Sequence, residues 1–310
     1  METGRACSDS GFFYLTDHGI SLELVDEVFY ESKRFFNLPL HEKMKLLWNK
    51  DLRGYTPTLD ESLDPQNEVH GEYKEGYYIG SEIPEDDPRA EKYFFGPNQW
   101  PSKDILPRWK QVMEQYHKEC VEVAQSVAKI IALALDLDPD FFSKPEILGE
   151  PIATLRLLHY EGKVSNPSKG IFGCGAHSDY GFLTLLMTDD VVGLQICKDK
   201  DARPQVWEYV APLKGAFVVN LGDMLERWSN NIFRSTLHRV VIDGQERYSF
   251  AFFLDPNHDC VVECLPSCTS ATNPPKYSPI TSATYLIQKI ADTHADLSSY
   301  DRLQGGEEKI

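Results

Sequence analysis

The chain is poor in positive charge. It contains 31 Lys and Arg against 48 Asp and Glu, which gives a formal net charge of −17 over 310 residues, and its basic residues form no run. A surface of this sign repels phosphate backbones and anionic lipid headgroups. We therefore expect neither nucleic acid nor a membrane as a partner. Long apolar stretches are also missing, and the longest, residues 130–135, is too short to cross a bilayer.

Cysteine pairs of the kind that bind zinc are absent as well. The seven cysteines are an odd number, and the first twenty residues lack the apolar core of a signal peptide. Both features indicate free thiols in a reducing compartment, so we expect a cytoplasmic protein without disulfides. Cys260, Cys264 and Cys268 are spaced four residues apart. Zinc sites more often use Cys-x2-Cys pairs, so we expect these three to be ordinary thiols.

Apolar residues make up 42% of the chain, which is enough for the core of one large domain over residues 1–310. Residues 1–145 are predicted to be mostly helical. Ser21 can cap a helix that stops near Pro39, and a longer helix with an apolar stripe follows from about Asp104. The intervening residues 53–101 are rich in Gly, Pro, Tyr and acidic residues, and they are predicted to form long loops.

Short runs rich in Val, Leu, Phe and Thr fill residues 150–260, separated by Gly, Asp and Pro. This spacing predicts a β sandwich or jelly roll. A final helix is predicted at residues 285–291, within a tail over residues 261–310. The expected fold class is therefore mainly β with a helical layer. The β runs are 152–160, 182–187, 193–197, 205–210, 216–220, 236–242 and 248–254.

Two histidines and one aspartate have the spacing of a metal site. His177 and Asp179 precede a predicted strand, and residues i and i+2 of an extended segment point the same way. His238 lies on a later strand. Two imidazoles and one carboxylate leave half an octahedron open, which is the ligand set of non-haem Fe(II) oxygenases.

A cationic anchor is predicted beside this site. Asp243-Gly244 is a strong hairpin signal, and a two-residue turn there would place His238 opposite Ser249, with Arg247 on the same face. Arg247 can grip a carboxylate through two parallel hydrogen bonds, and Ser249 can add a third. The layout would accept a dicarboxylate that chelates the metal at its other end. The alternative is that Arg247 pairs with a surface acid.

With these residues in place, the chain resembles the Fe(II)/2-oxoglutarate-dependent dioxygenases of the plant and microbial isopenicillin N synthase-like group. Further segments match the motifs of that family in order along nearly the whole chain. They are Gly11-Phe12-Phe13-Tyr14-Leu15, Asp17-His18-Gly19-Ile20, Arg53-Gly54-Tyr55, Lys74-Glu75-Gly76, Val219-Asn220-Leu221-Gly222-Asp223 and Pro274-Pro275-Lys276-Tyr277.

The resemblance implies a fold, a reaction and roles for residues. The fold would be a double-stranded β-helix, a distorted jelly roll, backed by N-terminal and C-terminal helices. The reaction would couple oxidative decarboxylation of 2-oxoglutarate, with O2, to hydroxylation or desaturation of a small molecule. We expect a monomer whose activity ascorbate supports. By the resemblance, the Fe(II) ligands would be His177, Asp179 and His238, the 2-oxoglutarate-binding residues would be Arg247, Ser249 and Tyr160, and Phe253 would line the substrate pocket.

Two features of the family pattern are left open by this sequence. Relatives carry a further strand and helix before residues 11–15, so we expect a shorter isoform or a less covered core edge. Residues 53–78 suggest a pocket lid of cationic and aromatic groups, with Arg53, Tyr55 and Lys74 as pocket residues. Such a lid would suit a small acid or a ring with polar edges.

Two other functions remain as alternatives. One is an Fe(II) oxidase of the same fold that does not use 2-oxoglutarate, and the other is a non-catalytic metal-binding module. Release of CO2 from labelled 2-oxoglutarate would separate the three hypotheses.

Overall fold

The computed structural model describes residues 2–291. The helices are α1 Glu2–Asp9, α2 Leu22–Phe36, α3 Leu40–Met44, α4 Trp109–Ala134, α5 Pro145–Leu148, α6 Asp223–Trp228 and α7 Ser282–Ala291. The strands are β1 Phe12–Leu15, β2 Gly54–Thr56, β3 Glu75–Gly80, β4 Pro151–Tyr160, β5 Cys174–His177, β6 Leu183–Thr188, β7 Leu194–Asp199, β8 Val206–Tyr209, β9 Phe217–Leu221, β10 His238–Val240, β11 Arg247–Asn257, β12 Val261–Val262 and β13 Ile280–Thr281.

The helix starts follow from local chemistry. The side chain of Ser21 accepts a hydrogen bond from the Leu24 N–H at 3.2 Å, which confirms the predicted cap of α2. The long helix α4 begins at Trp109 rather than near Asp104, because Pro107 disfavours helical geometry at the residue before it. The predicted C-terminal helix is present as α7 within the described part of the tail.

Two antiparallel sheets form the β core. The major sheet has the strand order β1-β9-β6-β11-β4-β3-β2, and the minor sheet has the order β5-β10-β7-β8. Residues of both sheets line one cavity between them, which is the jelly-roll arrangement that the sequence predicts. The helix α4 packs on the opposite face of the major sheet, against β3, β4, β6 and β11. The strands β2 and β3 correct the expectation that residues 53–101 form only loops.

The hairpin predicted around Asp243-Gly244 does not form. The strand β10 is paired on one edge with β5 and on the other with β7, so it has no free edge for β11. The strand β11 instead lies in the major sheet between β4 and β6. His238 therefore does not pair with Ser249, and the two residues approach each other from opposite sheets.

The register of β11 against β4 determines which side chains face the cavity. Alternate residues of a strand point to the same face, and every second pair of this ladder lies on the cavity side. These pairs are Arg247 with Tyr160, Ser249 with Leu158, Ala251 with Arg156, Phe253 with Thr154, and Asp255 with Ile152. The opposite face of β11 carries Phe250, Phe252 and Leu254, which pack into the main hydrophobic core.

Two further sequence-based expectations concern the cysteines and membrane-spanning helices. All seven cysteines are free thiols. Among residues 2–291, no helix has both the length and the apolar character needed to cross a membrane.

Leu155 tests the packing of the major sheet on the helical layer. Its side chain is fully buried on β4, between Ile79 on β3 and Phe252 on β11. We expect Leu155→Ala to lower the free energy of unfolding by about 2–5 kcal/mol, because the variant loses apolar burial and leaves a cavity. Urea denaturation measures this change. The exposed Leu213 serves as the control, where the same substitution should change stability by less than about 0.5 kcal/mol; equal losses would contradict the packing described.

Candidate active site

Two histidines face each other on neighbouring strands of the minor sheet. His177 ends β5, His238 begins β10, and the antiparallel register pairs them directly. Asp179 follows His177 by two residues, and its Oδ1 lies 3.6 Å from His177 Nε2 and 3.5 Å from His238 Nε2. The pairing of β5 with β10, rather than the expected hairpin, therefore brings these three side chains together.

A backbone carbonyl fixes the orientation of each imidazole. His177 Nδ1 lies 2.9 Å from the carbonyl oxygen of Gly175, and His238 Nδ1 lies 3.0 Å from that of Thr236. Because a carbonyl oxygen can only accept, each Nδ1 carries the proton and donates it. Each Nε2 lone pair is then left free to bind a metal ion.

The carboxylate of Asp179 is held from the major sheet. Its Oδ2 accepts hydrogen bonds from Asn220 Nδ2 at 2.6 Å and from Thr184 Oγ1. Burial by itself would raise the pKa of Asp179, but the positive charge that His238 and His177 carry when protonated, together with the Asn220 hydrogen bond, holds it well below its usual range. Asp179 is therefore ionised, and its Oδ1 is the oxygen presented beside the two imidazoles.

This donor set fits Fe(II). The three candidate ligand atoms lie within 4.8 Å of one another. Within residues 2–291, this is the group of side chains placed closely enough to hold a metal ion. Two imidazole nitrogens and one carboxylate oxygen occupy three positions of an octahedron and leave three for other ligands. Cys260, Cys264 and Cys268 take no part in that group.

Arg247 is a buried cation in the same cavity. Its side chain is 1% exposed, Nη1 donates to Ser249 Oγ at 3.1 Å, and Nε donates to the carbonyl of Val191 at 3.3 Å. Its guanidinium carbon lies 5.1 Å from the ring centroid of Tyr160. Within the described part of the chain, Arg247 forms no ion pair with an Asp or Glu. The alternative that Arg247 pairs with a surface acid is therefore wrong for residues 2–291.

A second, more apolar part of the cavity begins beside the three candidate ligands. Phe253 lines both parts, in agreement with the face assigned to it from the sequence. Among its other lining residues are Leu63, Phe94 and Ile152, with Arg156 and Asp255 as polar members.

The pocket residues expected from residues 53–78 are only partly placed there. Lys74 lines the metal side of the cavity, paired with Glu61 at 2.7 Å. Arg53 and Tyr55 lie outside the residues that line the cavity. The two terminal nitrogens of Arg53 donate to backbone carbonyls, including that of Phe94 at 2.8 Å. Tyr55 donates to a carboxylate oxygen of Glu75.

Several residues of the site were missed by sequence reasoning. Arg156 and Asp255 could have been found, because alternate residues of a strand share a face. Arg156 lies four residues before Tyr160, and Asp255 lies two residues after Phe253. Glu61 carries no such signal, since it lies in a loop with no periodicity.

Asp255 is a buried carboxyl group that lines the apolar part of the cavity. Its Oδ1 accepts the N–H of Phe182 at 2.8 Å, and Gly181 is required beside it because a Cβ there would collide with this oxygen. Burial raises the pKa of Asp255 to about 7, with a further contribution from the charge of Asp179.

The raised pKa of Asp255 predicts a pH-dependent stability. The unfolded chain loses this proton near the ordinary value of 3.8, whereas the folded protein loses it near 7. Stability therefore falls through this group as pH rises between these values. Asp255→Asn removes the titration, so its melting temperature relative to wild type should rise from pH 5 to pH 8 in metal-free protein. A difference that does not change with pH would contradict the raised pKa.

The three candidate ligands predict a shared loss of metal binding. His177→Ala, Asp179→Ala and His238→Ala should each abolish binding of Fe(II) and of Co2+, Ni2+ and Zn2+, because this ligand set does not exclude the latter ions. Calorimetric titration measures binding, and circular dichroism checks the fold. The exposed His41 gives the control His41→Ala, which should bind like wild type. A ligand variant that retains wild-type affinity would remove that residue from the site.

Two family models match this chain. Residues 1–103 match the model described as non-haem dioxygenase in morphine synthesis N-terminal, and residues 152–256 match the 2OG-Fe(II) oxygenase superfamily. Among curated proteins, azadirone synthase of Melia azedarach is 49% identical over 92% of this chain and 86% of its own length. Kihadalactone A synthase of Citrus sinensis is also 49% identical, over 94% of this chain and 87% of its own length.

Solved structures agree with this match. A full-length Neurospora crassa protein in complex with alpha-KG superposes with a TM-score of 0.81 at 32% identity, over 94% of this chain and 89% of that one. JOX2 in complex with 2OG, Fe and JA superposes with a TM-score of 0.76 at 28% identity, over 95% and 85%. The predicted double-stranded β-helix is thereby confirmed. The chain belongs to the Fe(II)/2-oxoglutarate-dependent oxygenase superfamily, in its isopenicillin N synthase-like group, and is a 2-oxoglutarate-dependent dioxygenase.

Proposed function

We propose that this enzyme couples decarboxylation of 2-oxoglutarate to hydroxylation or desaturation of a small, largely apolar molecule. The observation that carries the proposal is the buried guanidinium of Arg247. A fully buried charge without a partner is costly, and within residues 2–291 no carboxylate of the chain pairs with it. The missing partner is supplied by a ligand that brings a carboxylate into the cavity.

The residues around Arg247 suit the far carboxylate of 2-oxoglutarate. Arg247 would bind it through two parallel hydrogen bonds, and Ser249, already within hydrogen-bonding distance of Arg247, would fix its orientation. Tyr160 lines the same part of the cavity, and its hydroxyl would hydrogen-bond the cosubstrate. The 2-oxo acid end would then reach His177, Asp179 and His238, where bound Fe(II) supplies the redox chemistry for reaction with O2.

The substrate would enter the apolar part of the cavity. Phe253, Leu63 and Phe94 offer apolar surface. Polar residues of the same lining, Arg156 and Asp255 among them, could orient a ring or chain. The 49% identical relatives are named as synthases of azadirone and kihadalactone A. We extend to this chain the corresponding role in oxidising a small organic molecule. Turnover with a metabolite panel, followed as succinate formation, identifies the substrate.

Three further proposals concern cellular location, ascorbate and oligomeric state. Cytoplasmic location is consistent with seven unpaired cysteines. Ascorbate would support activity by keeping the iron reduced, and we propose that the enzyme acts as a monomer.

Arg247 provides the test of cosubstrate use. Arg247→Ala leaves the far carboxylate desolvated and unpaired, at a cost of roughly 2–5 kcal/mol of binding. The Michaelis constant for 2-oxoglutarate should therefore rise about thirty- to several-thousand-fold, while Fe(II) affinity changes little. Arg247→Lys should recover only part of the loss, because an ammonium group cannot form the planar fork. Release of CO2 from labelled 2-oxoglutarate measures the effect.

The controls separate the anchor from general damage. Arg108, exposed and paired with Glu27 at 2.8 Å, gives the variant Arg108→Ala, which should behave like wild type. Pyruvate lacks the far carboxylate, so its disadvantage should shrink in Arg247→Ala. An Arg247→Ala enzyme with wild-type affinity and preference for 2-oxoglutarate would favour the same-fold oxidase that does not use this cosubstrate.

A further inference from the structure

The loop between β2 and β3 joins the substrate cavity to the strand of a candidate metal ligand. We define the lid loop as residues 57–74. Near its start, Glu61 and Leu63 line the apolar part of the cavity. Near its end, Glu72 is 1% exposed and reaches the backbone of β5.

Glu72 is connected to His177 through one residue. Glu72 Oε1 accepts the N–H of Gly175 at 2.6 Å, and the carbonyl of the same Gly175 accepts the proton of His177 Nδ1 at 2.9 Å. The other carboxylate oxygen of Glu72 contacts the ammonium group of Lys74, which also lies 2.7 Å from Glu61 Oε2. The contacts therefore run from the lid loop through Gly175 to the imidazole.

The pairing of β5 explains why this N–H needs a side-chain acceptor. The strand β5 is an edge of the minor sheet, and its register with β10 shifts between the pairs His238–His177 and Val240–Cys174. Gly175 lies within that irregularity, where the ladder provides no regular partner. Glu72 supplies the acceptor, and its negative charge makes the hydrogen bond stronger than one to a neutral group.

The lid loop also packs directly on Gly175. A Cβ at this position would collide with the Glu68 carboxylate and would lie 3.1 Å from the Cβ of Asp64. Glycine is therefore needed here for close approach of the loop. The backbone of Gly175 is held by the lid loop on one side and by His177 on the other.

We propose that Glu72 is a positioning residue that fixes the orientation of the metal ligand His177 through the backbone of Gly175. Partners of ligating histidines set the orientation and basicity of the ring, and their loss typically weakens metal binding by about 10–100-fold. The inference rests on the metal site proposed above. It adds to that site a loop glutamate that touches neither the metal position nor a ligand side chain.

Co2+ binding to the full-length protein tests the proposal without turnover. Calorimetry gives the Kd, and the visible absorption of bound Co2+ reports the ligand geometry. We expect Glu72→Ala to raise the Kd about 10–100-fold and to change the spectrum. Glu72→Gln keeps an oxygen that accepts the Gly175 N–H, so it should recover most of the affinity and the wild-type spectrum.

A matched control comes from the same loop. Glu61→Gln loses buried ion pairs with Lys74 and Arg156 but leaves the Glu72–Gly175 hydrogen bond in place. We expect it to lower stability while its Co2+ spectrum stays like that of wild type. If Glu72→Gln weakens binding as much as Glu72→Ala does, loss of charge explains the effect and the positioning role is overturned.

Two further outcomes keep the result decisive. Should Glu72→Ala fail to fold, Glu72→Met fills the same space without an acceptor, and its Co2+ affinity and spectrum then replace those of the alanine variant. A folded variant without the acceptor that binds Co2+ like wild type overturns this inference alone. If wild type and His177→Ala bind Co2+ equally, the metal site fails and this inference fails with it.

Discussion

The ladder between β4 and β11 is the constraint on which the cavity depends. Ten residues of each strand are paired. If the pairing register shifted by one residue, the side chains that now line the cavity would instead face the helices. The core itself opposes that shift, because Phe250, Phe252 and Leu254 would then face the cavity. The same packing that stabilises the major sheet thus places Arg247 and Ser249 at one end of β11 and Asp255 near its other end. Burial of the apolar face of β11 thus determines which of its side chains line the cavity.

The buried charged residues that line or border the cavity are of two kinds, those in ion pairs and those without one. Lys74, Glu61, Glu72 and Arg156 neutralise one another where the lid loop meets the cavity. These ion pairs offset the cost of removing the charges from water. Arg247 differs from them, because within residues 2–291 it forms no ion pair, and its side-chain hydrogen bonds go to a hydroxyl and a carbonyl. This contrast favours an anionic ligand at one end of the cavity and a neutral, mostly apolar ligand at the other.

Sequence reasoning succeeded where a local rule applied and failed where contacts were distant. The period of two relates His177 to Asp179 and Arg247 to Ser249 within single segments, so each pair could be predicted. The relation between the two pairs depends on which sheet each strand joins, and the expected hairpin was wrong because β10 already has a partner on both edges. Glu61 and Glu72 lie in a loop, where no period indicates the direction of a side chain. The sequence suggested that Arg53 and Tyr55 could bind a ligand. In the structure, Arg53 donates to backbone carbonyls and Tyr55 donates to Glu75.

The candidate ligands are supported from both sheets. His177 and His238 stand on strands of the minor sheet, whereas Thr184 and Asn220, which hold the Asp179 carboxylate, belong to the major sheet. The Asp179 carboxylate therefore connects the candidate ligands of the minor sheet to Thr184 and Asn220 of the major sheet. A motion that separates the layers would break the hydrogen bonds of Asp179 to Thr184 and Asn220 or pull Asp179 away from the two imidazoles. The candidate metal site would therefore resist separation of the two sheets at the place where both contribute contacts to it.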